Sequence, residues 1–284
     1  MARASALTLG LNAVDPGHYQ GWSGDLVACE ADASDMSAIL SSRGFAVKRL
    51  LTKEATRGNV SALIGAAARA LQPGDIFALT YSGHGGQLPD LDGEEDDGLD
   101  ETWCLFDGQL VDDEIYAALG AFAKGVRILV FSDSCHSGTA VKVAYYTSGG
   151  ASPASRAAAG LTGTEAPARF RAMPHEVALR TYEANRDFYD PILTDEKIAA
   201  AARSVAGSVL LISGCQDNQL SADGPFNGLF TGTLRRVWNG GKFSGDYRAF
   251  HEAIVKRMPP DQSPNYFTVG SPNPAFESEQ PFKV

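Results

Sequence analysis

The chain has 284 residues, enough to bury a full core as one large domain or two small ones. Its 44% hydrophobic and 20% charged content is that of an ordinary globular protein. No apolar run reaches the roughly 18 residues that a membrane span needs. A net charge of −10 argues against a nucleic-acid surface and suits a cationic substrate.

The N-terminal MARASALTLGLNAV reads as a first buried strand, over Ala6–Val14, because the charged head and cleavage site of a signal peptide are missing. Further strands are expected at Phe45–Leu51, Asp75–Tyr81, Val126–Asp133, Ser208–Ser213 and Asn265–Val269. Helices alternate with them at Asp25–Ser41, Gly58–Ala70, Asp112–Phe122, Asp195–Val205, Asn227–Trp238 and Tyr247–Arg257. In the first helix Leu26, Cys29, Ala33, Met36 and Leu40 share one stripe, and Gly44 stops it. Continuous apolar strands alternating with helices predict an α/β fold with a mostly parallel six-stranded sheet covered on both faces.

Two stretches interrupt the alternation. Asp90 to Glu101 carries eight acids in twelve positions and reads as a surface loop. The connection over 142–194 is rich in Ala, Gly, Ser, Pro and Arg, with patchy helical character around His175–Asn185. It contains Arg156, Arg169, Arg171, Arg180 and Arg186, and its composition suggests that part of it packs loosely and is open to proteolysis. The chain divides naturally into 1–141, this connection, and 195–284, together expected to form one compact domain. Four widely spaced cysteines, Cys29, Cys104, Cys135 and Cys215, form no CxxC pair, which points to a reducing, cytoplasmic setting.

In open parallel sheets the chemistry sits at the carboxyl ends of the strands. The third strand runs IFALTY into Ser82-Gly83-His84-Gly85-Gly86, and the fourth runs RILVFSD into Ser134-Cys135-His136-Ser137-Gly138. If these strands are neighbours, His84 and Cys135 emerge on one sheet edge, the arrangement a nucleophile and its base require. The backbone N–H groups of Gly85 and Cys135 can then converge on a developing oxyanion. Alone, each residue has a plainer reading: Cys135 as a buried small hydrophobe, His84 as a turn residue. His136 is a rival base, although a side chain adjacent to Cys135 should point elsewhere. No third group orienting His84 can be named.

YSGHGGQ together with FSDSCHSG resembles the caspase-fold cysteine peptidases, the second motif especially their metacaspase branch. LVACEADA, VDDEI and SGCQDNQLSADG resemble further segments of that branch, so the likeness spans nearly the whole chain. It implies a caspase-like fold, an endopeptidase working through a Cys135–His84 pair, and protein or peptide substrates. With the first strand so near Met1, a form without a prodomain is expected. In metacaspases the S1 pocket, which receives the substrate residue P1 before the cut bond, is acidic. The matching positions are Asp32, Ser82 and Asp133, with Cys29 either lining the pocket or packing in the core. A carboxylate two residues from the nucleophile also lies where the P1 side chain must enter, and paired acids would hold Arg or Lys by charge-assisted hydrogen bonds. The plainer readings are a strand-end cap for Asp133 and an exposed helix position for Asp32.

Many metacaspases use calcium, and the matching ligand positions are Asp100, Asp112 and Asp113. Lys142, where that family often has an Asp, opposes a metal, so a weak calcium requirement or none is expected. Asp112 and Asp113 are equally suited to the first turn of a helix. The rivals to a peptidase are an inactive caspase-fold scaffold and a calcium-sensing or phospho-accepting module using Asp133.

Overall fold

The computed structural model describes residues 2–93, 95, 98–134, 170–214, 223, 227–260 and 262–284. In chain order the elements are β1 (Ala4–Gly10), α1 (Cys29–Ser42), β2 (Ala46–Leu51), α2 (Arg57–Ala70), β3 (Ile76–Ser82), β4 (Gly85–Pro89), β5 (Leu99–Leu105) and β6 (Gly108–Val111). There follow α3 (Asp112–Gly120), β7 (Arg127–Asp133), α4 (His175–Ala184), α5 (Arg186–Leu193), α6 (Glu196–Ala202), β8 (Ser208–Ser213), α7 (Leu229–Trp238), α8 (Tyr247–Val255), β9 (Asn265–Gly270) and α9 (Pro274–Glu277).

Six strands form one sheet in the order β2-β1-β3-β7-β8-β9. They are the six read from the sequence, and all neighbours run parallel except β8 and β9. The first strand is shorter than expected and stops at Gly10, where the chain leaves the sheet. Alternation along the central strands divides the core in two. Phe77, Leu79, Tyr81, Ile128 and Val130 face α2 and α3 through Val60, Ile64, Ile115 and Leu119. Ile76, Ala78, Leu129 and Phe131 face α1, α7 and α8 through Met36, Leu40, Leu234, Phe250 and Ile254. Burial on both faces is why these strands read as continuous apolar runs.

The α1 helix lies directly on β1. Its first turn is capped by Asn12, whose Oδ1 accepts from the N–H groups of Cys29 (2.9 Å) and Glu30 (3.2 Å). A methyl group on Gly10 would overlap the Cys29 carbonyl oxygen and stand 2.7 Å from the Ala33 Cβ. Gly10→Ala should therefore destabilise the fold by about 1–3 kcal/mol through overpacking. Because α1 carries Asp32, the same change should shift that carboxylate. A denaturation midpoint equal to wild type would show that the contact relaxes freely.

Three regions depart from the sequence reading. A small antiparallel sheet, β4-β5-β6, follows the His84 turn. The acidic stretch is a turn only to Gly98: the Asp90 carboxylate accepts from the N–H groups of Asp92, Gly93 and Glu95, and then β5 buries Asp100. The described end of the 142–194 connection is packed, not loose. There α4 turns Val177, Ala178, Thr181 and Tyr182 inward, and α5 buries Tyr189 and Leu193. Among the described residues no helix is long and apolar enough to cross a membrane.

Candidate active site

The β3–β7 pairing sets Ser82 directly opposite Asp133 at the carboxyl edge of the sheet. His84 lies two residues beyond Ser82, and Ser134, the last described residue before Cys135, is buried beside it in the chain. Cys135, His136, Lys142 and Cys215 lie outside the described residues.

Backbone and aromatic groups hold His84 in place. Its carbonyl accepts from the Tyr81 hydroxyl (2.6 Å) and the Cys104 N–H (2.9 Å), while the Tyr81 ring stacks on Trp103 at 4.5 Å. The imidazole lies against Trp22 with ring centroids 4.7 Å apart, and Nε2 is 3.0 Å from the Gly24 carbonyl oxygen. A carbonyl only accepts, so Nε2 carries the proton and Nδ1 presents its lone pair. Nδ1 is buried with no hydrogen-bond partner among the described residues. The orienting group that could not be named from sequence is thus the Gly24 carbonyl, with φ +56° at that glycine and Trp22 behind it.

Burial above all, with Arg171 adding to it, lowers the His84 pKa to about 4, against the Gly24 carbonyl, Asp223 and the Ala172 backbone, which act in the other direction. The imidazole is therefore neutral and able to accept a proton near pH 7. Unfolded histidine titrates near 6.5, so below that pH the unfolded chain takes a proton that the folded chain refuses. Stability is present above about pH 6.5, falls as pH drops toward 4, and levels off below it. The loss should be about 3 kcal/mol. Urea denaturation of Cys135→Ala at pH 7 and pH 4.5 should show it, and adding His84→Gln should remove that share. An unchanged pH slope in the double variant would assign the acid sensitivity to other groups.

Beside His84 the acids converge. Asp32 is on α1, Ser82 ends β3, Asp133 ends β7, and Asp223 lies on the segment between β8 and α7; all four are buried. Asp32, which could have been an exposed helix position, is 1% exposed. Its carboxylate accepts from the Ser82 hydroxyl (2.9 Å), the Asn227 amide (2.9 Å) and the Gly228 N–H (3.1 Å). Asp133 accepts from the N–H (3.1 Å) and hydroxyl (2.7 Å) of Thr231. The first turn of α7 thus directs backbone donors at both acids, as helix N-termini do. Cys29 is fully buried, and burial pushes its thiol up; Arg171 and Ser82 lie close enough to act on it. It both packs in the core and borders the pocket.

The pocket is filled by Arg171, which is 0% exposed. One guanidinium nitrogen, Nη2, binds Asp32 at 2.6 Å and Asp223 at 3.1 Å. The other, Nη1, binds Asp133 at 2.9 Å and the Ser82 hydroxyl at 2.8 Å. Its flat face lies on Gly228, where a Cβ would stand 2.6 Å from the guanidinium carbon. Burial works against the charge of Arg171, but Asp133, Asp32 and Asp223 hold it well above the ordinary arginine value. Burial also raises the Asp32 carboxyl, against the pull of Arg171. Asp223 and Gly228 were missed in the sequence, and Arg171 stood there only as one of five arginines of the connection. Asp223 sits inside SGCQDNQLSADG, and its acid after the fifth strand was the available signal.

The acids considered for calcium lie elsewhere. Burial and neighbouring acids raise Asp100 to about 7 and Asp112 to about 8, and Asp113 presses on both. Among the described residues no three His, Cys, Asp or Glu side chains converge as a metal-ligating group. Among the described residues these crowded acids do not present a ready calcium site.

The chain matches the Caspase domain family over residues 13–284. It is 32% identical over 247 residues to Metacaspase-1 of Mycosarcoma maydis, covering 81% of this chain and 60% of that relative. It is also 32% identical over 256 residues to Metacaspase-1 of Coccidioides immitis, covering 82% and 53%. The chain therefore spans somewhat over half the length of these relatives. Protein GSU0716 of Geobacter sulfurreducens, known as a crystal structure, is 60% identical with TM-score 0.86 over 99% of both chains. Caspase-1 of Spodoptera frugiperda shares the fold alone, at 10% identity and TM-score 0.51 over 95% of this chain and 86% of that one. With the match running over almost its whole length, this chain belongs to the caspase-domain family and has the caspase-like α/β fold.

Proposed function

We propose that the chain is a cysteine endopeptidase that cuts protein or peptide substrates after Arg or Lys, with Cys135 as nucleophile and His84 as base. The observation that carries this reading is the pocket beside His84, where Asp32, Asp133, Asp223 and Ser82 surround a guanidinium. Oxygens of four residues at hydrogen-bond distance from one planar cation match what an entering arginine side chain needs. In this mechanism Nδ1 of His84 takes the thiol proton and the thiolate attacks the P1 carbonyl. The oxyanion is held by the N–H groups of Gly85 and Cys135. The proton passes to the leaving amine, and water hydrolyses the thioester.

Fluorogenic peptides differing only at P1 test the reading. Arg and Lys peptides should be cut at least roughly 100-fold faster than the Asp peptide, whose carboxylate would meet like charge in a desolvated pocket. Faster cleavage after Asp would overturn the specificity. A folded protein that cuts none of the peptides, before or after limited proteolysis, would favour a scaffold.

A further inference from the structure

Every hydrogen-bonding group of Asn12, just beyond β1, is engaged. Its Oδ1 caps α1 at the N–H groups of Cys29 and Glu30. Its backbone carbonyl accepts from the Leu26 N–H at 2.9 Å, and its Nδ2 makes a longer bond, 3.4 Å, to the Val27 carbonyl. Its own N–H donates to the Thr52 hydroxyl at 3.1 Å. A helix cap needs only the first of these contacts. The others hold the segment that precedes the helix. Ser23 is held from the same side, since its carbonyl accepts from the Val14 N–H at 2.9 Å. Gly24, whose carbonyl accepts from His84 Nε2, is thus bracketed by bonds to residues 12–14. Val27 donates its N–H to Asp223 at 2.9 Å, and one turn into α1 stands Asp32. The Leu11 N–H donates to the Ser82 carbonyl at 2.9 Å, which registers Asn12 on the strand leading to His84.

Thr52 backs this arrangement from the end of β2. Its φ of +34° is a conformation that β-branched residues avoid. Glycine would adopt it freely but would bring no hydroxyl. The Thr52 hydroxyl accepts from Asn12 and donates to the Glu30 carboxylate at 2.5 Å, so it ties the end of β1 to the first turn of α1. Backbone strain of this kind persists only where surrounding contacts over-determine it, and it gathers at functional sites. Resting on the peptidase reading, we propose that Asn12 is a positioning residue for the reaction: backed by Thr52, it fixes residues 24–32 so that the Gly24 carbonyl orients His84 while Asp32 and Asp223 meet in the cleft. Base and pocket are then set together, from one side chain that takes no part in bond making.

The His84 imidazole is titrated by NMR, with its signal assigned through His84→Gln, and the pH dependence of kcat/KM is measured with an Arg peptide. The chains are wild type, Asn12→Ala, Thr52→Val, Thr52→Ser and Ile254→Val. Asn12→Ala frees the segment and lets water reach the imidazole. Burial is the largest influence on His84, ahead of the Gly24 bond, Asp223 and Arg171. Its midpoint should therefore rise from about 4 to about 5 or above, toward the ordinary histidine value. The acid limb of kcat/KM should rise with it, and kcat/KM at pH 7 should fall roughly 10- to 100-fold. Thr52→Val keeps the shape without the hydroxyl and should move both readouts the same way, whereas Thr52→Ser should restore them. Ile254→Val, a trim in the core under α8, should lower the denaturation midpoint and move neither. If Asn12→Ala does not fold, Thr52→Val against Thr52→Ser decides by the same two readouts. A folded Asn12→Ala with the wild-type titration and acid limb would overturn the positioning role and leave the peptidase reading standing. No hydrolysis by folded wild type, before or after limited proteolysis, would overturn both.

Discussion

Cys135→Ala should lower kcat/KM for an Arg peptide by about 10⁴-fold or more, since one member of a cooperating pair carries nearly the effect of both. His84→Ala should fall to a similar level, and the double variant should be little worse than either. In the proposed mechanism the pair acts as a unit because the thiol is a poor nucleophile until a neutral base takes its proton. His84 is suited to that, with Nε2 turned to the Gly24 carbonyl and Nδ1 left as the acceptor. Kinetics should be measured beside circular dichroism and a denaturation curve on the same preparations. Full turnover in folded Cys135→Ala would remove the nucleophile, and multiplicative losses in the double variant would mean that the two residues act separately.

Asp32→Ala should destabilise the fold by about 3–5 kcal/mol. The loss arises because the charged partner remains behind. Arg171 would keep its guanidinium buried with one strong acceptor gone, and the Ser82 hydroxyl and Gly228 N–H would lose theirs. The conservative Asp32→Asn should lose less, since an amide oxygen can still accept. A double-mutant cycle with Arg171→Met isolates the pairing. Asp32→Ala should be much milder once the buried cation is absent. If it is equally damaging with and without Arg171, the carboxylate serves the α1–α7 junction through Asn227 and Gly228 instead.

The six main strands were legible because sheet burial on both faces writes itself as unbroken apolar runs, as in IFALTY and RILVFSD. His84, Ser82 and Asp133 were legible because a parallel sheet offers its chemistry where such strands end. The small sheet was not. Gly85, Gly86 and Pro89 interrupt any alternation, and the acidic turn hides where β5 begins. Arg171 was one of five arginines in a segment whose composition spoke for looseness. What singles it out is tertiary: acids from α1, from the end of β7 and from the segment before α7 meet only after folding. Trp22 and Gly24 were hidden likewise, since nothing local ties them to a histidine sixty residues away.

The register that sets Ser82 across from Asp133 has a bearing on which insertions and deletions the chain tolerates. Losing one residue within β7 would turn every later side chain of that strand to the opposite face. Asp133 would leave the pocket, while Leu129 and Phe131 would turn from the core against α1, α7 and α8 toward the one against α2 and α3. By contrast, a tag or sensor domain placed in the exposed turn around Gly93 would leave the β3–β7 pairing untouched. Lengthening should therefore be confined to the turns, and the spacing from the SGHGG turn back into β3, like that from β7 to Cys135, should admit no change at all.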